Sequence, residues 1–113
     1  MGHYSCVMKL PIEHREVRYE LQNLLSRRQF DMLYDSPGYW VAREQTGHVA
    51  LSQLVTVEMY LDSKSSGEME LTCVAKNQEL PLQEVNHCQQ VFETVRTALH
   101  EFQANVLESL LVK

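Results

Sequence analysis

The chain predicts an α+β fold, a two-layer sandwich in which an antiparallel sheet of about four strands is covered on one face by two helices. The element order is β-α-β-β-β-α, with a long C-terminal helix. Three observations predict it. Several stretches alternate apolar and polar residues with period 2, so each strand has one apolar and one polar face, as in a sheet covered on one side only. Two other stretches switch to the i, i+3, i+4 spacing of a helix and can supply the cover. At 113 residues and 44% hydrophobic content, a chain buries roughly 65% of its unfolded surface. That is enough for a single α+β domain spanning 1–113 without a metal or disulfide to support it.

Residues 3–10 read as the first strand, with Tyr4, Cys6, Met8 and Leu10 alternating against Ser5, Val7 and Lys9. Pro11 ends it and suits the first turn of a helix. The helix runs over 12–29, with Val17, Leu21, Leu24, Leu25 and the stem of Arg28 on one side. Glu13 and Glu16 fall in its first turn and Arg27 and Arg28 in its last, as the helix dipole favours. Phe30 to Tyr34 is a candidate short strand, Ser36-Pro37-Gly38 a turn, and Tyr39 to Arg43 a strand. Thr46-Gly47-His48 breaks the chain again. Residues 51–62 and 68–76 form a hairpin across Ser63–Gly67. With the loop centred near Ser65, Leu61 faces Met69 and Met59 faces Leu71. Val55, Val57, Met59, Leu61, Met69, Leu71, Cys73 and Ala75 then share one side. Pro81 closes the strand region.

From about Gln83 to Leu111 the period becomes helical. Cys88, Phe92, Val95, Leu99, Phe102 and Val106 step by four, three, four, three, four, and should lie on Met8, Val57, Met59, Leu71 and Cys73. Arg96 and Gln103 fall off this stripe. The uncovered face should present Ser5, Lys9, Thr56, Glu58, Tyr60, Glu68, Glu70 and Thr72. Strand order in the sheet does not follow from the pattern.

The net charge of −5 makes nucleic acid an unpromising partner, because binding to phosphates needs a basic face that releases counterions. The acidic excess lies in the second part. The first 47 residues carry six basic and six acidic side chains, the rest four and nine. No apolar stretch is long enough to span a bilayer, and Met1 is followed by a strand-like segment, not a basic region and an apolar run. With three cysteines at irregular spacing (Cys6, Cys73 and Cys88), these features read as a cytoplasmic chain with reduced thiols.

Chemistry-bearing residues are few. Adjacent His87 and Cys88 point about 100° apart on a helix and suit one ion poorly. A zinc site built on Cys6 and Cys73 needs three distant segments to converge, so no metal and no cofactor is expected, and the cysteines read as small buried hydrophobes. A reactive thiol is the alternative for Cys88, near a helix N-terminus. Glu58, Glu68 and Glu70 on an open face lack the desolvated pocket that general acid catalysis needs. The glycines are isolated and form no phosphate loop.

The segment Tyr34-Asp35-Ser36-Pro37-Gly38-Tyr39-Trp40 gathers two tyrosines and the single tryptophan at a turn, and aromatics in such places anchor protein interfaces. Trp40 reads as core or interface. Tyr39 points the other way, and with Arg27, Arg28 and Arg43 it could form a basic aromatic rim, for which stacking on RNA is one reading and a charge-paired surface the other.

Ser52-Gln53-Leu54-Val55-Thr56-Val57-Glu58, Lys76-Asn77-Gln78-Glu79-Leu80-Pro81-Leu82-Gln83 and Asn86-His87-Cys88 resemble small uncharacterised proteins of cyanobacteria, a group that carries no function over. The architecture looks like an abbreviated helix-grip domain of the START type. Those domains are longer and have more strands, which implies a reduced ligand cavity here.

The expected function is that of a non-enzymatic binding or accessory protein. It acts through a protein partner, a second copy of the chain included, with Tyr39, Val41, Glu58, Tyr60 and Glu70 as the candidate contact residues. The alternative is a small apolar-ligand binder with a cavity between the sheet and the C-terminal helix.

Overall fold

The computed structural model describes residues 2–10, 15–47, 49–78 and 86–111. Strand β1 (Gly2–Leu10) leads to helix α1 (Arg15–Ser26). Strands β2 (Phe30–Ser36) and β3 (Tyr39–Glu44) follow, then a single 3-10 turn at Leu51–Gln53. Strands β4 (Thr56–Ser63) and β5 (Met69–Asn77) precede helix α2 (His87–Leu111). All five strands pair antiparallel in the order β1-β5-β4-β3-β2. The fifth strand is Phe30–Ser36, a full edge strand with a bulge between Met32 and Tyr34 that leaves Leu33 exposed. Pro11, Glu13, His48 and Pro81 lie outside the described residues.

The alternation places the apolar side chains as the sequence predicts. Val55, Val57, Met59, Met69, Leu71, Cys73 and Ala75 are buried in one cluster with Met8 and Leu10 of β1, and Leu61 is partly buried against it. The hairpin register differs. Leu61 faces Leu71 and Met59 faces Cys73, because the loop centres one residue later. Lys64 N–H donates to the Glu68 carbonyl at 2.7 Å, and Gly67 takes a φ of +88° that suits glycine. The shift by two keeps every side chain on its expected face. Strand β4 begins at Thr56, not at 51. The preceding residues instead make the 3-10 turn, held where Asn77 Nδ2 donates to the Gln53 carbonyl (3.0 Å) and Gln78 N–H to that of Ser52 (3.1 Å).

Both helices lie on the apolar face. Val17, Leu21, Leu24 and Leu25 of α1 are buried. The helix stops at Ser26, so Arg27 and Arg28 lie beyond its last turn. Gln29 has a φ of +65°, and the Arg28 guanidinium donates to the Leu24 carbonyl, a C-terminal group the helix leaves open. Helix α2 starts at an Asn86 cap, whose Oδ1 accepts from Gln89 N–H at 3.0 Å. Asn86 Nδ2 donates to the Tyr4 hydroxyl at 2.6 Å, and the Tyr4 ring stacks on Phe92 at 5.7 Å, which ties the helix start to β1. Cys88, Phe92, Val95 and Leu99 are buried in the same cluster as the sheet, and Phe102 packs against its margin. Gln103, off the stripe, is not idle: its Nε2 donates to the Lys9 carbonyl at 2.7 Å.

Trp40 belongs to this core. It is 0% exposed, opposite Met59 in the β3–β4 register, and its indole N–H has no hydrogen-bond partner among the described residues. No helix among the described residues is long and apolar enough to cross a membrane.

Candidate functional site: the uncovered face of the sheet

Because side chains alternate along a strand, the residues opposite the core face line up across the sheet. Val7 of β1, Thr72 and Lys76 of β5, Glu58 and Tyr60 of β4, and Tyr39 and Val41 of β3 all point away from the helices. Tyr39 faces Tyr60 in the register, and the ring centroids are 4.7 Å apart. Tyr34 of β2 extends the row, 5.7 Å from the Tyr39 ring. Both the Tyr39 and the Tyr60 hydroxyls donate to Glu58 Oε2, each at 2.9 Å, and the Lys76 ammonium pairs with Oε1.

Glu58 therefore does not stand in open water, contrary to the sequence expectation. It is only 8% exposed: the tyrosines cover it from one side and Lys76 from the other. The Lys76 ammonium, and then the two phenols, hold its carboxyl below the usual carboxylate range against the cost of burial. Conversely, the carboxylate pushes the Tyr39 phenol up to about 12 and raises that of Tyr60. Lys76 is raised by the same ion pair. Each phenol spends its proton on Glu58, so what the tyrosines offer outward is ring surface and oxygen lone pairs.

The other expected contact residues divide. Val41, directly opposite Glu58, is half-buried. Glu70 is half-buried one ladder away, opposite Asp62, and Lys64 bridges the two carboxylates at 2.9 and 3.9 Å. The exposed apolar members of the face are Tyr60 (43%), Tyr34 (54%) and Val7 (61%), and the sequence singled out neither Tyr34 nor Val7 as a contact residue. The basic rim is not assembled. Arg27 and Arg28 precede β2 and line the groove between the helices, whereas Tyr39 follows the turn at the far end of that strand, ~20 Å away at ~3.3 Å per residue. Asp35 of the same segment turns inward to α1, where it accepts from Arg18 (2.7 Å) and Gln22 (2.8 Å).

Three further features lie off this face. An open groove of about 530 Å³ runs between α1 and α2, lined by Val17, Leu24, Ala98, Phe102 and Val106 with Arg27, Arg28 and Glu101. A smaller one of about 270 Å³ holds His87, whose Nε2 is 2.7 Å from Glu44 Oε1. Glu44 Oε1 also accepts from Val55 N–H at 2.8 Å. No local signal in the sequence joins residues 43 positions apart. Finally, Cys6 and Cys73 face each other across β1 and β5, a convergence the spacing does not foretell. Among the described residues no cluster of three or more His, Cys, Asp or Glu able to hold a metal ion forms around them. Cys88, the thiol singled out near a helix N-terminus, is fully buried and out of a reagent's reach.

No family model matches the chain, and no curated protein matches it. Among solved structures it is similar to the crystal structure of Ara h 8.0201, with a TM-score of 0.54 and 10% sequence identity over 95% of this chain and 98% of that one. The likeness is one of fold: an antiparallel sheet with a long last helix packed on it, the helix-grip arrangement.

Proposed function

We propose that this chain is a non-enzymatic binding protein that docks a protein partner on the uncovered face of its sheet. The observation that carries the reading is the row in which Tyr39 and Tyr60 are fixed by hydrogen bonds to the Glu58 carboxylate and Tyr34 extends it beside the Tyr39 ring. Tyrosines held by packing and hydrogen bonds give contact area at little further cost in side-chain entropy, which is what interface anchors need. Their phenolic oxygens accept hydrogen bonds, so the face suits a partner surface that brings N–H donors. The covered side argues for the same assignment: Trp40, Met59, Leu71 and Leu99 are buried in one core between the sheet and the helices, which leaves little room for a ligand there.

A pull-down from native extract with wild type, Tyr60→Ala, Tyr34→Ala and Leu51→Ser tests it. Leu51 is exposed but lies outside the row. The expected result is a partner retained by wild type and Leu51→Ser and lost by both tyrosine variants. Retention by all four overturns the reading.

The second reading, a binder of small apolar ligands, draws its support from the groove between α1 and α2. Its volume of about 530 Å³ falls in the range of small-molecule sites, and Val17, Leu24, Ala98, Phe102 and Val106 give it apolar lining beside charged and polar side chains. That moves the ligand from the sheet–helix interior, where the sequence puts it, to the seam between helices. An apolar fluorescent probe that binds wild type and is lost with Ala98→Glu supports this reading over the first.

A further inference from the structure

We propose that Cys6 and Cys73 are a dithiol oxidised by hydroperoxides, with Cys6 as the attacking sulfur and Cys73 as the resolving one. The register sets them directly opposite each other in neighbouring antiparallel strands. Opposed residues in such a pair have Cα atoms about 4.5–5.5 Å apart, within the roughly 4.4–6.8 Å that a disulfide spans. Both side chains lie on the same face of the sheet, and each thiol is near enough to shift the other's titration.

Their surroundings assign the roles. Cys6 lies in an edge strand and is half-buried, whereas Cys73 is buried one strand further in. The neighbouring Cys73 thiol lowers that of Cys6, and the Arg96 guanidinium on α2 adds to this, against burial and the Glu93 carboxylate. Arg96 is itself paired with Glu93, so the two charges partly offset each other and the Cys73 contact leads. Cys73 shifts upward from the same contact and from burial. A reagent thus meets one sulfur that is accessible and held toward the thiolate, with a second in reserve behind it.

The chemistry balances with a hydroperoxide as oxidant. The Cys6 thiolate attacks the outer peroxide oxygen. The O–O bond breaks, the remaining oxygen leaves and takes up a proton as alcohol or water, and Cys6 carries a sulfenic acid. Cys73 gives up its proton and its sulfur attacks the Cys6 sulfur. The S–O bond breaks, water departs, and the disulfide closes. Two thiols lose two electrons in total and the peroxide gains them. Burial makes Cys73 a poor free nucleophile, but here it is already in contact with the atom it must attack, and such proximity replaces a bimolecular encounter.

The test uses the reduced 113-residue chain and hydrogen peroxide. Non-reducing peptide mapping should find Cys6 linked to Cys73 with Cys88 still alkylatable, and Cys6 consumed roughly ten-fold or more faster than Cys88. In Cys73→Ala, dimedone should trap a sulfenic acid at Cys6. In Cys6→Ser, Cys73 should stay reduced. Three intact thiols in wild type after peroxide has oxidised free cysteine in the same tube overturns the proposal, as does a disulfide that includes Cys88. If Cys73→Ala does not fold, the wild-type map decides alone.

Discussion

The two faces of the sheet are closed by different physics. The covered face is sealed by area: Leu10, Val57, Met59, Leu71, Trp40 and Leu99 are removed from water without directed bonds, and any apolar group of the right volume would serve nearly as well. The outer face is held by direction: one carboxylate, two phenols and an ammonium that must meet at hydrogen-bond distance. Area gives stability and tolerates no polarity. Direction gives a fixed surface shape and contributes less energy. Substitutions on the two faces should therefore fall into two classes, one read in melting temperature and the other in binding.

The largest effect belongs to the covered face. Leu99 is 0% exposed in the middle of the α2 stripe. Leu99→Ala should cost about 2–5 kcal/mol through lost transfer energy and the cavity left behind, and Leu99→Asp should prevent folding by burying an unpaired charge. Arg96→Ala, exposed on the same helix, is the control. Equal melting temperatures for Leu99→Ala and Arg96→Ala would break the comparison and undock the helix. Gly2 sharpens it at the margin. An added Cβ would stand 2.6 Å from Asn77 Oδ1 and 2.9 Å from Cys88 Cβ, so Gly2→Ala should cost about 1–3 kcal/mol by overpacking. A melt matching wild type would mean that β1 does not approach α2 so closely.

How far each face was legible follows from the same difference. Alternation is local, so the sequence tells which side of β4 and β5 is core, and the stepping of Phe92, Val95 and Leu99 tells which side of α2 meets it. The register slipped by two because it rested on the loop centre, which five loop residues permit at more than one place. What covers a polar residue is not local. The shielding of Glu58 comes from Tyr39 on one neighbouring strand and Lys76 on the other, so it depends on strand order. Strand order also brings Cys6 to Cys73, and the same non-local packing brings His87 to Glu44. For β1, pairing with β5 closes a loop of some sixty residues, and no pattern within either strand announces it. Tyr39 and Tyr60 were legible as outward aromatics, but Tyr34 owes its place in the row to the bulge at Leu33.

A smaller effect probes the outer face from its centre. Glu58→Gln keeps the shape but removes the charge that gathers Lys76 and the two phenols. It should cost about 1.5 kcal/mol, the lower range for hydrogen bonds to a charged group. The pH dependence has a definite sign. The folded carboxyl titrates below its unfolded value of ~4.3. Its contribution is therefore complete above that value and is lost as the pH falls through the lowered one. Wild type should lose stability on acidification more steeply than Glu58→Gln, as measured by denaturant melts from neutral to strongly acid solution. At the alkaline end, Tyr39 titrates near 12 when folded and near ~10 when unfolded. Its contribution is complete below the lower value and disappears as the pH rises through the higher one. Parallel acid limbs for the two proteins would mean that Glu58 is solvated after all.

The smallest effect on stability is expected at Glu70, and it divides the two faces most cleanly. Glu70 faces Asp62 on one side and Lys9 on the other, with the Lys64 ammonium 3.9 Å away. Reversing its charge in Glu70→Lys turns the contact with Asp62 attractive and those with Lys9 and Lys64 repulsive. All of these are screened by solvent at a half-exposed position, where single ion pairs contribute little. The net change should stay under about 0.5 kcal/mol, or less than roughly 4 °C in melting temperature. Partner capture should nevertheless fall, because the reversal places a third cation beside Lys9 and Lys64 on a face proposed to receive N–H donors, and like charges at an interface are costly. Tyr60→Ala, melted and assayed in parallel, should also leave the core intact and lose the partner. If Glu70→Lys and Tyr60→Ala both bind like wild type while Tyr39→Ala does not, the contact contracts to the Tyr34–Tyr39 end of the row. If instead Glu70→Lys melts as early as Leu99→Ala, direction and area are not separable here, and the outer face is part of what holds the fold together.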